Sequence, residues 1–154
     1  MRFVLFAAIM AASPAFAETF SSGAVGTGTS SNEPIPIAEG HIVMRTSGSY
    51  EMFEVEAGHP LEGAKGPCFG AVEIKGGEVS GGGNCVYETS SGDKAVMVWK
   101  AMGLGADGAL TGEWSVSGGT GAWTGATGGG TFSSLTDPNT GKFVNTITGD
   151  ITVE

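Results

Sequence analysis

Apolar and polar residues alternate along this chain in short runs, and clusters of turn-forming residues interrupt the runs every eight to twelve residues or so. Leu110, Trp114 and Val116 alternate with Thr111, Glu113 and Ser115, and Ile147, Ile151 and Val153 alternate with Thr148, Asp150 and Thr152. A period of two puts one set of side chains on each face of a sheet. No stretch sustains the 3.6-residue period of an amphipathic helix. Twenty-eight glycines in 154 residues would mean low complexity if the apolar residues were sparse, but here they punctuate regular runs. The pattern therefore predicts an all-β fold of antiparallel strands in sequential order.

The runs set approximate boundaries. Phe20–Thr29 is a glycine-weakened first strand, followed by a loop from Ser30 through the extended Pro34-Ile35-Pro36. His41–Thr46 and Tyr50–Glu56 form a hairpin-like pair around Ser47-Gly48-Ser49, and Gly58–Pro67 is a longer loop. Cys68–Lys75 and Val79–Thr89 flank the two-residue turn Gly76-Gly77. Ala95–Met102, Leu110–Ser117 and Trp123–Leu135 follow, the last after the corner Gly118-Gly119-Thr120-Gly121. Asp137-Pro138-Asn139-Thr140-Gly141 is a turn by composition, and Phe143–Val153 closes the chain. Eight or nine strands in up-and-down order suit a single closed barrel, which removes exposed sheet edges. A sandwich satisfies the same pattern.

The first 17 residues lie outside that pattern. Arg2, the apolar run Phe3–Ala12, Pro14 and the small residues of Ala15-Phe16-Ala17 make a secretory signal with cleavage before Glu18. The apolar run is too short to span a bilayer. Residues 18–154 then form one domain of 137 residues, the full 154 less 17. Loss of Arg2 leaves 6 of the 7 Lys+Arg against 16 Asp+Glu, a net charge of −10. Such an acidic chain is a poor partner for nucleic acid or anionic membranes. The expectation is a periplasmic or secreted protein that is not inserted in a membrane once cleaved.

Two cysteines in an exported chain suggest a bridge. With Gly76-Gly77 in the turn, Lys75 faces Glu78 and Ile74 faces Val79, and the ladder brings Cys68 opposite Cys85. Opposed residues in an antiparallel pair lie close enough to bond. Closing a loop of about 18 residues is worth about 3 kcal/mol in the chain-entropy model. A bulge within Gly81-Gly82-Gly83 would shift this register by one.

Candidate chemistry is thin. His41 falls on a strand and His59 in a Gly-His-Pro loop, with no third or fourth ligand clustered near them or near the cysteines, so neither a metal nor a cofactor is expected. Glu51, Glu54 and Glu56 are split between two faces by the period of two, with Glu54 and Glu56 on one side. Asp107, Asp137 and Asn139 sit in turns and miss calcium-loop spacing. Gly128-Gly129-Gly130 does not continue into a helix, which removes a phosphate cradle.

The segment Val116-Ser117-Gly118-Gly119-Thr120-Gly121-Ala122-Trp123-Thr124-Gly125-Ala126-Thr127-Gly128 resembles the hairpin shared by allene oxide cyclase-like and dirigent-like barrels: Gly-Gly-Thr-Gly, an aromatic after one residue, then Gly-Ala-x-Gly. The resemblance implies an eight-stranded antiparallel barrel, in a superfamily that includes cyclases. It carries over no catalytic residue. Gly105–Gly112 is also similar to a streptavidin-family hairpin, without that family's polar ligand contacts.

Three roles are compatible with such a barrel. The leading one is binding of a small apolar ligand against Trp114, Trp99, Tyr87 and Tyr50, with Ala126, Gly128 and Gly130 leaving space on the facing strand. In that case a pocket of a few hundred Å³ should touch Trp114 and at least one of Trp99 and Tyr87. The second is a cofactor-free cyclase or isomerase, which needs a titratable group facing the pocket, such as Tyr50, Tyr87 or Glu54. The third is a structural or interaction protein whose core is filled by Trp99, Trp114 and Trp123. Val96 and Val98 make their strand apolar on both faces, a pattern that suits packing under a loop or in a homo-oligomer.

Overall fold

A computed structural model describes residues 17–154, so the expected signal segment lies outside the described residues except for Ala17. Eight antiparallel strands close into a barrel in sequential order. They are β1 (Glu18–Ala38), β2 (His41–Glu54), β3 (Gly66–Lys75), β4 (Glu78–Glu88), β5 (Lys94–Leu104), β6 (Leu110–Gly119), β7 (Thr127–Thr136) and β8 (Lys142–Val153). Closure is made by β1, whose first part pairs with β8 from Glu18↔Val153 to Thr29↔Lys142. Its later part pairs with β2 from Val25↔Glu54 to Ala38↔His41.

Three local expectations are corrected. Ser30–Pro36 is not a loop, because β1 runs on as strand to Ala38 with Pro34 and Pro36 facing Met44 and Ile42 across the pair. Proline lacks a donor, but on this stretch β1 has lost β8 as a partner and needs to bond on one side only. Ser47-Gly48-Ser49 is not a turn either. Gly48 lies mid-strand between Ser30 and Cys68, and its φ is not in the left-handed region a tight turn would use. Finally, Trp123 does not begin a strand. Gly121–Trp123 is a 3-10 turn entered through Gly121 at φ 55°, and β7 starts at Thr127.

The turn at Gly76-Gly77 holds the expected register, from Lys75↔Glu78 to Cys68↔Cys85, with no bulge among Gly81-Gly82-Gly83. Cys68 and Cys85 are disulfide-bonded, their Cα atoms 3.9 Å apart.

The two ends of the barrel differ. Tight connections at Glu39-Gly40, Gly76-Gly77, Gly105–Ala109 and Asp137–Gly141 gather at one end. The opposite end holds the longer β2–β3 loop, the β4–β5 loop and the 3-10 turn. There Leu61 (4% exposed), Ala64 and Trp123 (2% exposed) are buried in the core. The β2–β3 loop and the 3-10 turn fold back as a plug, whereas the turns at the opposite end insert no large side chain. The barrel is therefore closed below and open above.

Candidate functional site

The open end leads into a cavity of about 250 Å³. Tyr50, Tyr87, Trp99 and Trp114 all line it, from β2, β4, β5 and β6. They share the inner face because each occupies the inward parity of its strand, together with Cys85, Met97, Ile147 and Ile151.

Glycines make room for the rings. A Cβ on Gly26 would lie 2.6 Å from the Tyr50 ring and 3.1 Å from that of Phe53, and a Cβ on Gly70 would lie 2.5 Å from the Trp99 indole. Trp114 crosses β7 where its register partner is Gly130, and its Nε1 donates to the Thr148 carbonyl on β8 at 3.0 Å. The glycines of β7 thus accommodate an indole, and the remaining volume opens toward the turn-bearing end.

Phe53, Phe143 and Asn145 belong to this wall and were not singled out from the sequence, although Phe143 and Asn145 share the parity of Ile147. The cause for Phe53 is a bulge. Gly28 pairs with Tyr50 and Thr27 with Met52, so Glu51 is skipped and Tyr50 and Phe53 both point inward three residues apart. Their rings stack at 5.0 Å and 4°, while Tyr87 and Phe143 meet Tyr50 edge-on at 5.3 and 4.8 Å. Facing Gly26-x-Gly28, the strand Tyr50-Glu51-Met52-Phe53 carried a readable hint, since two glycines opposite two aromatics leave a bed for rings. The same bulge leaves Glu51 exposed. Glu54 and Glu56 are exposed too, so Glu54 does not face the cavity and drops out as a reacting group.

At the heart of the wall, Asn145 Nδ2 donates to the Tyr50 hydroxyl at 2.5 Å. The Tyr87 hydroxyl also hydrogen-bonds to it. Burial raises the Tyr50 pKa against the opposing pull of these two bonds. It raises that of Tyr87 further, with Tyr50 adding to the effect. Both phenols therefore keep their protons at neutral pH. Among the buried side-chain atoms of the described residues, Asn145 Oδ1, Trp99 Nε1 and, outside the cavity, His59 Nε2 have no hydrogen-bond partner.

Among the described residues no Asp, Glu, Lys, Arg or His lines the cavity. His41 is on the outside, 2.7 Å from Glu73 Oε1, and His59 sits in the plug. Among the described residues no group of three or more His, Cys, Asp or Glu is placed to hold a metal ion. Val98 is exposed on the outer face and Val96 half-buried beside it. No helix among the described residues is long and apolar enough to cross a membrane. No family model matches the chain, and neither the curated proteins nor the solved structures contain a match to it.

Proposed function

We propose that this protein is exported, to the periplasm or beyond the cell, and binds one small, largely apolar molecule inside its barrel. The observation that carries the reading is the charge-free, aromatic-walled cavity of about 250 Å³, left open at one end. Keeping that much volume clear of side chains forgoes packing contacts on the order of several kcal/mol. A ligand that fills it recovers them. The disulfide fits an oxidising compartment. The resemblance of the Gly118–Gly128 segment to allene oxide cyclase-like barrels supports the same architecture and adds no reacting group. With neutral phenols and no carboxylate or imidazole in the wall, the cavity is equipped to hold a molecule rather than to move protons.

Native mass spectrometry of protein purified from its own host tests this, together with titration by the neutral fluorophore N-phenyl-1-naphthylamine. The expected result is a retained mass or saturable uptake of the fluorophore with quenching of tryptophan emission. Apo protein that takes up no fluorophore would overturn the proposal.

A further inference from the structure

The mouth of the cavity is chemically divided, and the division bears on the ligand. Inward positions near the open end of β1, β2 and β7 carry Ser30, Asn32, Thr46, Ser134 and Thr136, with Met44 the apolar side chain among them. Inward positions on β3, β5 and β6 carry Ile74, Leu104 and Leu110 instead. Solvent exposure alone does not account for the polar arc. Outward positions on the same part of the barrel mix exposed apolar side chains such as Ile35, Leu135 and Val144 with charges, as in Glu33 and Arg45, which pair at 3.1 Å, and in Glu73 and Lys142. Water tolerates charges on either face, yet the inward set is uncharged and, Met44 apart, hydrogen-bonding. Leu104 is 50% exposed although it points inward, so an apolar surface stands uncovered directly across from the hydroxyls.

A second observation lies one step below the rim. Asn145 is the register partner of Ser134, is itself 5% exposed, and has an Oδ1 acceptor with no donor. A buried carbonyl oxygen without a partner costs about 1–3 kcal/mol, which a donor relieves.

Resting on the ligand-binding reading above, we infer that the ligand is a single-chain amphiphile with an uncharged, hydroxyl-bearing head. Its chain lies among the rings of Tyr50, Trp99, Trp114 and Phe143, and its head lies against the arc of Ser30, Asn32, Thr46, Ser134 and Thr136. A hydroxyl both donates and accepts, as the mixed arc requires. A carboxylate head would find no cation in the wall and would meet a chain of formal net charge −9. An ammonium head would find no carboxylate in the wall.

The test compares 1-monodecanoylglycerol, decanoate and decyltrimethylammonium, each displacing N-phenyl-1-naphthylamine from the protein. The expected order is monodecanoylglycerol tightest, with both ionic probes at least about tenfold weaker, and a Thr46→Val, Ser134→Ala double variant that loses about tenfold for monodecanoylglycerol, the value of one or two hydrogen bonds. Fluorophore uptake by that variant is titrated first, so that displacement is read against its own affinity. Decanoate or decyltrimethylammonium binding as tightly as monodecanoylglycerol overturns the head assignment, as does a double variant with undiminished affinity for monodecanoylglycerol. In both cases uptake of the fluorophore shows that the binding proposal itself survives. Failure of the fluorophore and all three probes to bind removes both.

Discussion

Tyr50 shows how much one side chain organises. Its ring stacks on Phe53, meets Tyr87 and Phe143 edge-on and covers Gly26, while its hydroxyl accepts a hydrogen bond from the Asn145 amide. Tyr50→Phe keeps the ring and strips Asn145 of that partner. We expect a loss of about 1–3 kcal/mol in urea unfolding, the cost of a buried amide left unpaired. An unchanged midpoint would mean that the amide is satisfied without Tyr50. Gly70 tests the glycine beds. A Cβ there would meet the Trp99 indole at 2.5 Å and, closer still, the Gly82 carbonyl, which is backbone and cannot swing away. Gly70→Val should therefore cost more than about 2 kcal/mol, as overpacking at a rigid contact does, and should change the tryptophan emission spectrum of the folded protein. A variant with wild-type stability and spectrum would show that Trp99 has room to move.

Two elements carry their own predictions. The β3–β4 hairpin holds the disulfide, whose replacement in a Cys68→Ser, Cys85→Ser variant should lower stability by about 3 kcal/mol while the far-ultraviolet signature of sheet persists. Thiol titration of the unfolded, unreduced wild type should find no free thiol. The β2–β3 loop holds His59, whose Nδ1 accepts the Leu61 N–H at 3.1 Å, so the ring is neutral with its proton on Nε2. Burial lowers the His59 pKa below 6.5, partly offset by the nearby Glu56 carboxylate. Glu62 of the same loop and Asp93 of the β4–β5 loop line the same outer cleft as His59. The unfolded chain consequently binds this proton first as pH falls. The stability contributed by neutral His59 is complete above pH 6.5 and is lost as pH drops from there through the folded value. Protonation also sets a donor against the Leu61 amide, and Leu61 is part of the cavity floor. Unfolding free energy measured at pH about 7.5 and about 5.5 should fall in the wild type, and the fall should be smaller in His59→Gln. Equal falls in both proteins would assign the acid sensitivity to the carboxylates elsewhere.

At the scale of the molecule, closure distributes stability unevenly along β1. Val25–Thr29 bond to β8 on one side and β2 on the other, Ser30 still donates its N–H to the Gly141 carbonyl, and residues 31–38 have β2 alone. Amide exchange should thus leave Val25–Thr29 protected until the barrel unfolds as a whole, and should release the amides of the Glu33–Arg45 extension first. Uniform protection along β1 would contradict a barrel that opens from its projecting hairpin. The plugged end and the open end also divide labour: the long loops seal the floor, and the short turns leave the entrance clear.

Strand number, order and the disulfide register were legible in the sequence because each depends on local signals. Period-two alternation marks the inner face of β6 and β8, and the turn at Gly76-Gly77 fixes Cys68 opposite Cys85 by counting alone. Trp114 and Tyr87 could be assigned to the inner face for the same reason, Trp99 only if its strand takes the parity of Met97, and Tyr50 was a candidate without a face until the structure placed it beside them. Tertiary structure decided what counting cannot reach. Glycine and proline look like punctuation in a sequence, yet Gly48 and Pro34 sit inside strands, since a neighbouring strand determines whether an extended segment pairs or turns. The bulge at Glu51 reversed the parity that would have sent Phe53 outward, and β8, folded beside β1, brought Phe143 and Asn145 to Tyr50 from nearly a hundred residues away in sequence. Strand periodicity constrains which face a side chain takes. Whether the space between those faces is filled depends on how eight strands tilt and close around it, and that is a property of the assembled barrel.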